Sequence, residues 1–332
     1  MKTKGLLLIS LLIFFCLVFS PPDSAAQGLT KLAVGYPGIS GDHLAMWVAK
    51  ETGIFAKNGL DVNLIFFMGT AAAALISGDV PISYLAGPQV INSVLRGSDL
   101  VIVAGGIVTA DVWLMGRPEI KSPEQLKGGA VAISRFGASF DLITRLALQK
   151  IGLNPTKDVT LVQVGGVQER LAAMETGRVR AAVLTHPQTF FMQKKGFTVL
   201  ADVSALGLPF QHNAVITTRS FIQKQPDTVR RFVRSQVEAV QRMKIDRETG
   251  IRVLAKYLRF EDKELLEKTY ETAIPDHKIP RRQYPTLEGI KTILDWLAPN
   301  DPQAKAAKPE DFVDLRFIKE LDQSGFVDRL YK

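Results

Sequence analysis

The chain has 332 residues, 46% hydrophobic and 22% charged, with a net charge of +8 and one cysteine. That length exceeds what a single hydrophobic core usually holds, so two lobes are expected. One cysteine excludes an intrachain disulfide and a Cys-based metal site. The basic residues are scattered over the C-terminal segments rather than run together, which fits a solvated surface and not a nucleic-acid site.

The first segment reads as a leader. Lys2 and Lys4 precede an apolar run from Leu6 to Phe19, broken only by Ser10, and Ser24-Ala25-Ala26 follows. A basic start, an apolar stretch of roughly 14 residues and a small-residue cleavage site make a secretory signal peptide. It is expected to cover residues 1–26, with the mature chain beginning near Gln27. A spanning helix would need about 20 apolar residues, and no such run is expected later. Cys16 follows Phe15, which is too bulky for a lipoprotein signal. The mature chain is therefore expected to carry no thiol, disulfide or lipid anchor and to be periplasmic. Loss of Lys2, Lys4 and Asp23 brings its net charge to about +7.

Strands and helices then alternate. Lys31 to Tyr36 reads as a strand, and Asp42 as the N-cap of a helix from His43 to Thr52, closed by Gly53. Leu60 to Phe67 is a strand. Thr70 opens a helix over Ala71 to Ser77, ended by Gly78. Val80 to Ala86 is a strand, Pro88 suits the first turn of the next helix, Gly97 ends it, and Leu100 to Ala104 is a strand. The pattern restarts with strand Ala130 to Ser134, helix Ser139 to Ile151, strand Val159 to Val164, helix Val167 to Thr176, strand Ala181 to Thr185, a helix from Pro187, and strand Thr198 to Ala201. A strand over Asn213 to Thr218 precedes helices at Pro226–Lys244, Glu248–Tyr257, Asp262–Ala273, Gln283–Leu297 and Pro309–Leu321.

This alternation predicts an α/β chain with mostly parallel sheets flanked by helices. No low-complexity linker separates the blocks. If the second block is inserted into the first, two extended crossings join them, and Val108–Met115 and Asn213–Thr218 fit that role. The expected division is 27–112 with 213–332 as lobe 1 and 113–212 as lobe 2. A faint echo between Ala74–Leu85 and Ala172–Leu184, each a helix, a glycine, a turn and a strand, supports two lobes of like construction.

Ligands of open parallel sheets bind beyond the carboxyl ends of the strands. The residues following each strand are therefore the candidates: Tyr36 and Gly38; Gly69, Thr70 and Ala71; Gly87; Ser134, Arg135, Phe136, Gly137 and Ser139; Gln168; Thr185 and His186. Glycines admit close backbone approach, and the helix starts at Gly69-Thr70-Ala71 and Gly137-Ala138-Ser139 offer amide nests for an anion. Arg135 is the candidate charged anchor. Tyr36, Phe136 and Phe140 offer rings for a planar ligand. Each of these also has an ordinary turn, surface or core role.

The four histidines show no metal-ligand spacing. His43 and His186 fall on cleft loops, and His212 just precedes a crossing strand. His277 is expected at the surface. No nucleophile elbow, phosphate loop or complete dinucleotide fingerprint is present. No cofactor, metal or catalytic residue is expected.

Several segments resemble the bacterial substrate-binding proteins of the nitrate/sulfonate/taurine and thiamine-pyrimidine-precursor group. They are His43–Leu64, Ala74–Pro88, Ser122–Ser139, Glu169–Pro187 and Gln225–Gln241, the most specific being the run from Ala49 to Val62. The resemblance implies a type II periplasmic binding protein fold: two lobes joined by two crossing strands and closing on a ligand by a hinge. It implies a monomer that captures a small anionic or planar organic solute and delivers it to an ABC permease with a cytoplasmic ATPase. Two alternatives stand beside this: an enzyme on the same fold, of pyrimidine synthase or lyase type, and a sensor subunit presenting its ligand to a membrane kinase. The pyrimidine synthase branch uses a Cys-rich motif, which this chain lacks.

Overall fold

The computed structural model describes residues 28–332. The leader expected at residues 1–26, with Cys16, lies outside the described residues. In chain order come β1 (Thr30–Tyr36), α1 (Leu44–Glu51), α2 (Ile54–Lys57), β2 (Leu60–Phe66), α3 (Ala71–Ser77), β3 (Ile82–Ala86), α4 (Gly87–Leu95) and β4 (Leu100–Gly105). The chain then crosses to β5 (Trp113–Gly116), β6 (Ala130–Ile133), α5 (Ser139–Lys150), β7 (Thr160–Gln163), α6 (Val167–Glu175), β8 (Ala181–Leu184), α7 (Gln188–Lys194) and β9 (Thr198–Asp202). It returns as β10 (Asn213–Thr218), followed by α8 (Arg219–Lys224), α9 (Pro226–Ile245), α10 (Arg247–Leu258), α11 (Lys263–Ala273), α12 (Leu287–Leu297), α13 (Pro302–Ala306), α14 (Arg316–Gln323) and α15 (Phe326–Leu330).

Two five-stranded sheets result, ordered β2-β1-β3-β10-β4 and β7-β6-β8-β5-β9. In each, one strand runs against the rest: β10 pairs antiparallel with β3 and β4, and β5 with β8 and β9. These two strands are the ones the chain reaches by crossing between sheets. Both carry a register shift on their outer side, between Val215 and Ile216 against β4 and between Leu114 and Met115 against β9. The crossings themselves lie side by side. Phe210 and His212 donate their N–H groups to the carbonyls of Val108 (3.2 Å) and Ile107 (3.0 Å), and Thr109 bridges Pro209.

The two sheets repeat one plan. Gly78 and Gly177 end α3 and α6 with positive φ, where a side chain would be strained. Beyond them Val80 donates to Ala74 O and Val179 to Ala173 O, both at 3.2 Å. Each turn leads into the third strand of its sheet, β3 or β8, so the echo seen in the sequence joins equivalent positions.

Burial follows the strand positions. Edge strand β2 alternates, with Leu60 and Val62 buried, while β4 and β8 are buried throughout. The first sheet is covered by α1 and α9; Phe55 of α2 stacks on Phe232 of α9 at 5.3 Å, and Trp47 of α1 on Tyr257 of α10 at 4.7 Å.

Three local expectations give way to tertiary contacts. Asp42 does not cap α1, whose N-cap is His43 with no side-chain bond. Asp42 turns toward His212 instead. The helix expected from Gln283 begins only at Leu287, because Gln283 takes a positive φ and its carbonyl accepts the Gly105 N–H at 2.7 Å; Thr286 then caps the helix through Gly289 N–H. The helix expected over Pro309–Leu321 breaks into a short turn and α14, because Val313 bridges Ile102 and Asp314 donates to Ile102 O at 2.8 Å. That segment extends the first sheet past its edge strand.

Candidate functional site

The loop after β1 supplies the first wall. His43 is buried among aromatic rings, with centroid distances of 5.6 Å to Tyr36, 6.0 Å to Trp47 and 6.2 Å to Tyr84. Gly38 lies against the same imidazole, its Cβ direction ending 3.9 Å from His43 Nε2. Burial pushes the His43 pKa down to about 4, so the ring is neutral at neutral pH.

The crossings supply the floor. His212 Nε2 lies 3.4 Å from Asp42 Oδ2, and Asn213 Nδ2 donates to the Asp42 carbonyl at 3.1 Å. Burial penalises both charges, but their mutual attraction wins: the Asp42 carboxyl is held below its usual range and His212 above its own. On the other crossing, Lys278 Nζ lies 2.6 Å from Asp111 Oδ1, with both side chains buried. Lys278 also accepts the Val108 N–H through its carbonyl at 2.8 Å, which ties a C-terminal segment to the first crossing.

The second sheet supplies the opposite wall. His186, just past β8, stacks on Phe190 at 4.7 Å and meets the edge of Trp113 at 4.8 Å. Its Nδ1 contacts Thr189 Oγ1 at 2.5 Å. Burial, reinforced by the positive charge of Lys278, pushes its pKa down to about 4. His186 also feels Asp42, so groups from both sheets and both crossings share one electrostatic neighbourhood.

This neighbourhood is rich in polar atoms with no protein partner. His43 Nδ1, Trp47 Nε1, Trp113 Nε1, His186 Nε2 and His212 Nδ1 are all buried and unpaired. A cavity of about 370 Å³, lined by Trp113, Phe190, Gln193, Lys268, Glu271 and Thr272, opens beside the His186 wall, between α7 and α11. The halves touch near it: Phe191 packs on Phe260 at 5.0 Å, and Lys194 pairs with Asp262 at 2.8 Å. A larger groove of about 900 Å³ lies between α10 and α11. In it Arg247 lies near Glu267, and its lining includes none of the buried unpaired polar atoms.

The structure thus brings together Tyr36, Gly38, His43, His186 and His212 from among the sequence candidates. Thr185 is half-buried immediately before His186. Gly87 packs against the second crossing, its N–H on Gln211 O at 3.1 Å. Gly69 and Thr70 are exposed, and Ala71 is buried at the start of α3. Arg135, Phe136, Gly137 and Gln168 are exposed, and Ser134 and Ser139 half-buried. In that loop the Gly137 N–H donates to Asp141 Oδ2 at 2.8 Å and the Phe136 N–H to Gln163 Oε1 at 3.3 Å, so side chains already occupy part of the expected nest. His277 is exposed.

Sequence reasoning passed over Asp42, Trp47, Asp111, Trp113, Phe190 and Lys278. Asp111 and Trp113 lay inside the expected crossing, which was signal enough to examine their side chains. Lys278 had no such signal. Among the described residues no three His, Cys, Asp or Glu side chains are placed to share a metal ion, and no helix is long and apolar enough to cross a membrane.

Comparison with known proteins agrees with this architecture. Residues 40–247 match the family described as NMT1/THI5 like. YtlA of Bacillus subtilis is 24% identical over 222 residues, 65% of this chain and 66% of its own length. A Haemophilus influenzae protein named for thiamine biosynthesis is 31% identical over 173 residues, 50% of this chain and 52% of its own. The matches therefore span just under two thirds and about half of those relatives. The crystal structure of the periplasmic aliphatic sulphonate binding protein SsuA from Escherichia coli superposes with a TM-score of 0.69 at 21% identity, covering 86% of this chain and 97% of SsuA. The chain has the two-lobed periplasmic binding protein fold.

Proposed function

Since the chain belongs to the NMT1/THI5-like family, we propose that it is an extracytoplasmic solute receptor whose cleft holds a planar, hydrogen-bonding organic molecule. The single observation behind this is the set of five unpaired buried nitrogens at His43, Trp47, Trp113, His186 and His212. Each unsatisfied buried polar group costs about 1–3 kcal/mol. Five of them approach the whole stability of a typical domain, roughly 5–15 kcal/mol. A ligand that pairs with them removes that cost, so the arrangement favours a bound state.

The charges favour an uncharged head group. Asp42 is matched by His212 and Asp111 by Lys278, while His43 and His186 are neutral. The unpaired groups are indole N–H and imidazole nitrogens, packed among aromatic rings. That combination suits a heteroaromatic ring, which offers flat faces and edge donors and acceptors together. Delivery to an ABC permease and residence in the periplasm complete the reading.

The test is a thermal-shift and calorimetric screen of the chain from Gln27 onward. It should cover pyrimidines, flavins, aromatic carboxylates, alkyl sulfonates and nitrate. Planar heteroaromatics should raise the melting temperature by mass action, and Trp113→Ala and His186→Ala should each weaken them at least about tenfold, as expected for loss of a buried contact. Hits confined to non-planar solutes, or variants that bind as the parent does, would reject the proposal. Conversion of any hit to product would favour the enzyme alternative.

A further inference from the structure

One buried hydroxyl decides which way the second-sheet wall can hydrogen-bond. Thr189, the second residue of α7, is fully buried. Other threonines in helical turns of this chain turn the hydroxyl onto the carbonyl four residues back. Thr144 donates to Phe140 O at 2.5 Å, Thr176 to Ala172 O at 2.8 Å and Thr269 to Leu265 O at 2.7 Å. Thr189 does not. Its N–H donates to the Thr185 carbonyl at 3.2 Å, but among the described residues its hydroxyl meets only His186 Nδ1, at 2.5 Å.

That contact has two arrangements, set by the tautomer of the ring. Burial pushes the His186 pKa down to about 4, so at neutral pH the ring carries a single N–H. In one arrangement the hydroxyl donates to a bare Nδ1, and the ring proton sits on Nε2. In the other the ring donates from Nδ1, and the hydroxyl proton lies in the interior with no acceptor, at the full cost of an unsatisfied donor. By turning away from the Thr185 carbonyl, Thr189 forfeits the acceptor its counterparts use. Only a bare Nδ1 replaces it. The first arrangement therefore prevails, and His186 Nε2, buried and unpaired, carries the proton.

We propose that Thr189 is a positioning residue that fixes His186 as the Nε2–H tautomer, so that this wall donates a hydrogen bond and its ligand accepts one. Trp113 meets the His186 ring at 4.8 Å, and its unpaired indole N–H is also a donor and never an acceptor. Trp113 and Phe190, the rings packed on His186, line the 370 Å³ cavity. The ligand class narrows accordingly: the edge turned to the second sheet carries bare ring nitrogens or carbonyl oxygens, not N–H or O–H groups. This ligand half rests on the planar-ring reading; the position of the proton does not.

The tautomer is read first, by long-range proton–nitrogen NMR of the isotope-labelled chain from Gln27 at neutral pH, with His186→Gln assigning the resonance. The parent should show Nε2 protonated and Nδ1 bare. Thr189→Ser keeps the hydroxyl and should preserve that state. Thr189→Val loses it and should move the ring toward the Nδ1–H form. Calorimetry then compares quinoxaline, whose nitrogens only accept, with indole, whose nitrogen only donates. The affinity ratio should favour quinoxaline in the parent and in Thr189→Ser, and fall about 2- to 10-fold in Thr189→Val, as expected for one neutral hydrogen bond. A Thr189 that merely packs would weaken both probes alike and leave the ratio unmoved. If neither probe binds while the Nε2–H form is present in the parent and lost in Thr189→Val, the planar-ring reading is retired and the proton assignment upheld. If Thr189→Val does not fold, the parent's resonance decides alone. A parent ring protonated on Nδ1, a tautomer unmoved in folded Thr189→Val, or an unmoved ratio between probes that bind overturns the proposal.

Discussion

Lys278→Met tests how the first crossing is held. The substitution keeps the side chain's length and removes its charge, leaving Asp111 buried with no counter-ion at the 2.6 Å contact. Breaking a buried ion pair from one side costs about 3–5 kcal/mol, because the remaining charge loses its partner and gains no water. At roughly 2–4 °C per kcal/mol for chains of this size, the melting temperature should fall by about 6–20 °C. The double variant Asp111→Leu with Lys278→Met removes both charges and should recover most of the loss. Urea titration of the four proteins gives the coupling energy directly. Burial pushes the Asp111 carboxyl upward against the pull of Lys278, so the Lys278→Met protein should also gain stability as pH falls and Asp111 takes a proton. A single variant within 1 kcal/mol of the parent, or additive losses in the double, would refute the reasoning.

Four more outcomes follow from the geometry. His43 and His186, with folded pKa values pushed down to about 4 against roughly 6.5 unfolded, stabilise the native state above pH 6.5 and lose that contribution as pH falls toward 4. Each shift corresponds to about 3 kcal/mol. His212 is shifted upward and acts oppositely, its contribution present below pH ~6.5 and lost as pH rises. Two outweigh one, so the melting temperature should drop between pH 6.5 and 4, and His186→Gln should flatten the slope; an unchanged slope counts against the buried neutral ring. Gly87→Ala places a Cβ 2.2 Å from the Gln211 carbonyl oxygen. It should cost about 1–3 kcal/mol by overpacking, and lost binding at unchanged stability would point instead to ligand contact. Phe191→Ser removes the contact with Phe260, so small-angle scattering should show a larger radius of gyration. Lys194→Ala, which breaks an exposed pair, should change stability by less than about 1 kcal/mol.

Much of the architecture was written locally. Glycines after α3 and α6, apolar runs at strand spacing and the proline at the start of α4 gave the elements and their alternation, and both crossings were visible as extended segments between blocks. The site was legible only where a strand-end loop carried a distinctive side chain, as at Tyr36, His43 and His186. Asp42 resembled a helix cap because a cap is a local pattern, whereas its pairing with His212 joins residues 170 positions apart. Lys278 was invisible for the same reason, lying 167 positions from Asp111. The Gly137 loop shows the reverse error: a sequence that reads as an open amide nest is partly filled by Asp141 from its own helix.

The connectivity also dictates an order of assembly. All five strands of the second sheet lie within residues 113–202, so its hydrogen-bonding is self-sufficient once that stretch of chain is free. The first sheet must wait: β3 and β4 are held together by β10, which begins only at Asn213. Until then both keep an uncapped flank, the kind of template that invites wrong partners. A chain emerging from its N-terminus can therefore close its second sheet before its first, with β3 and β4 left waiting for a common neighbour.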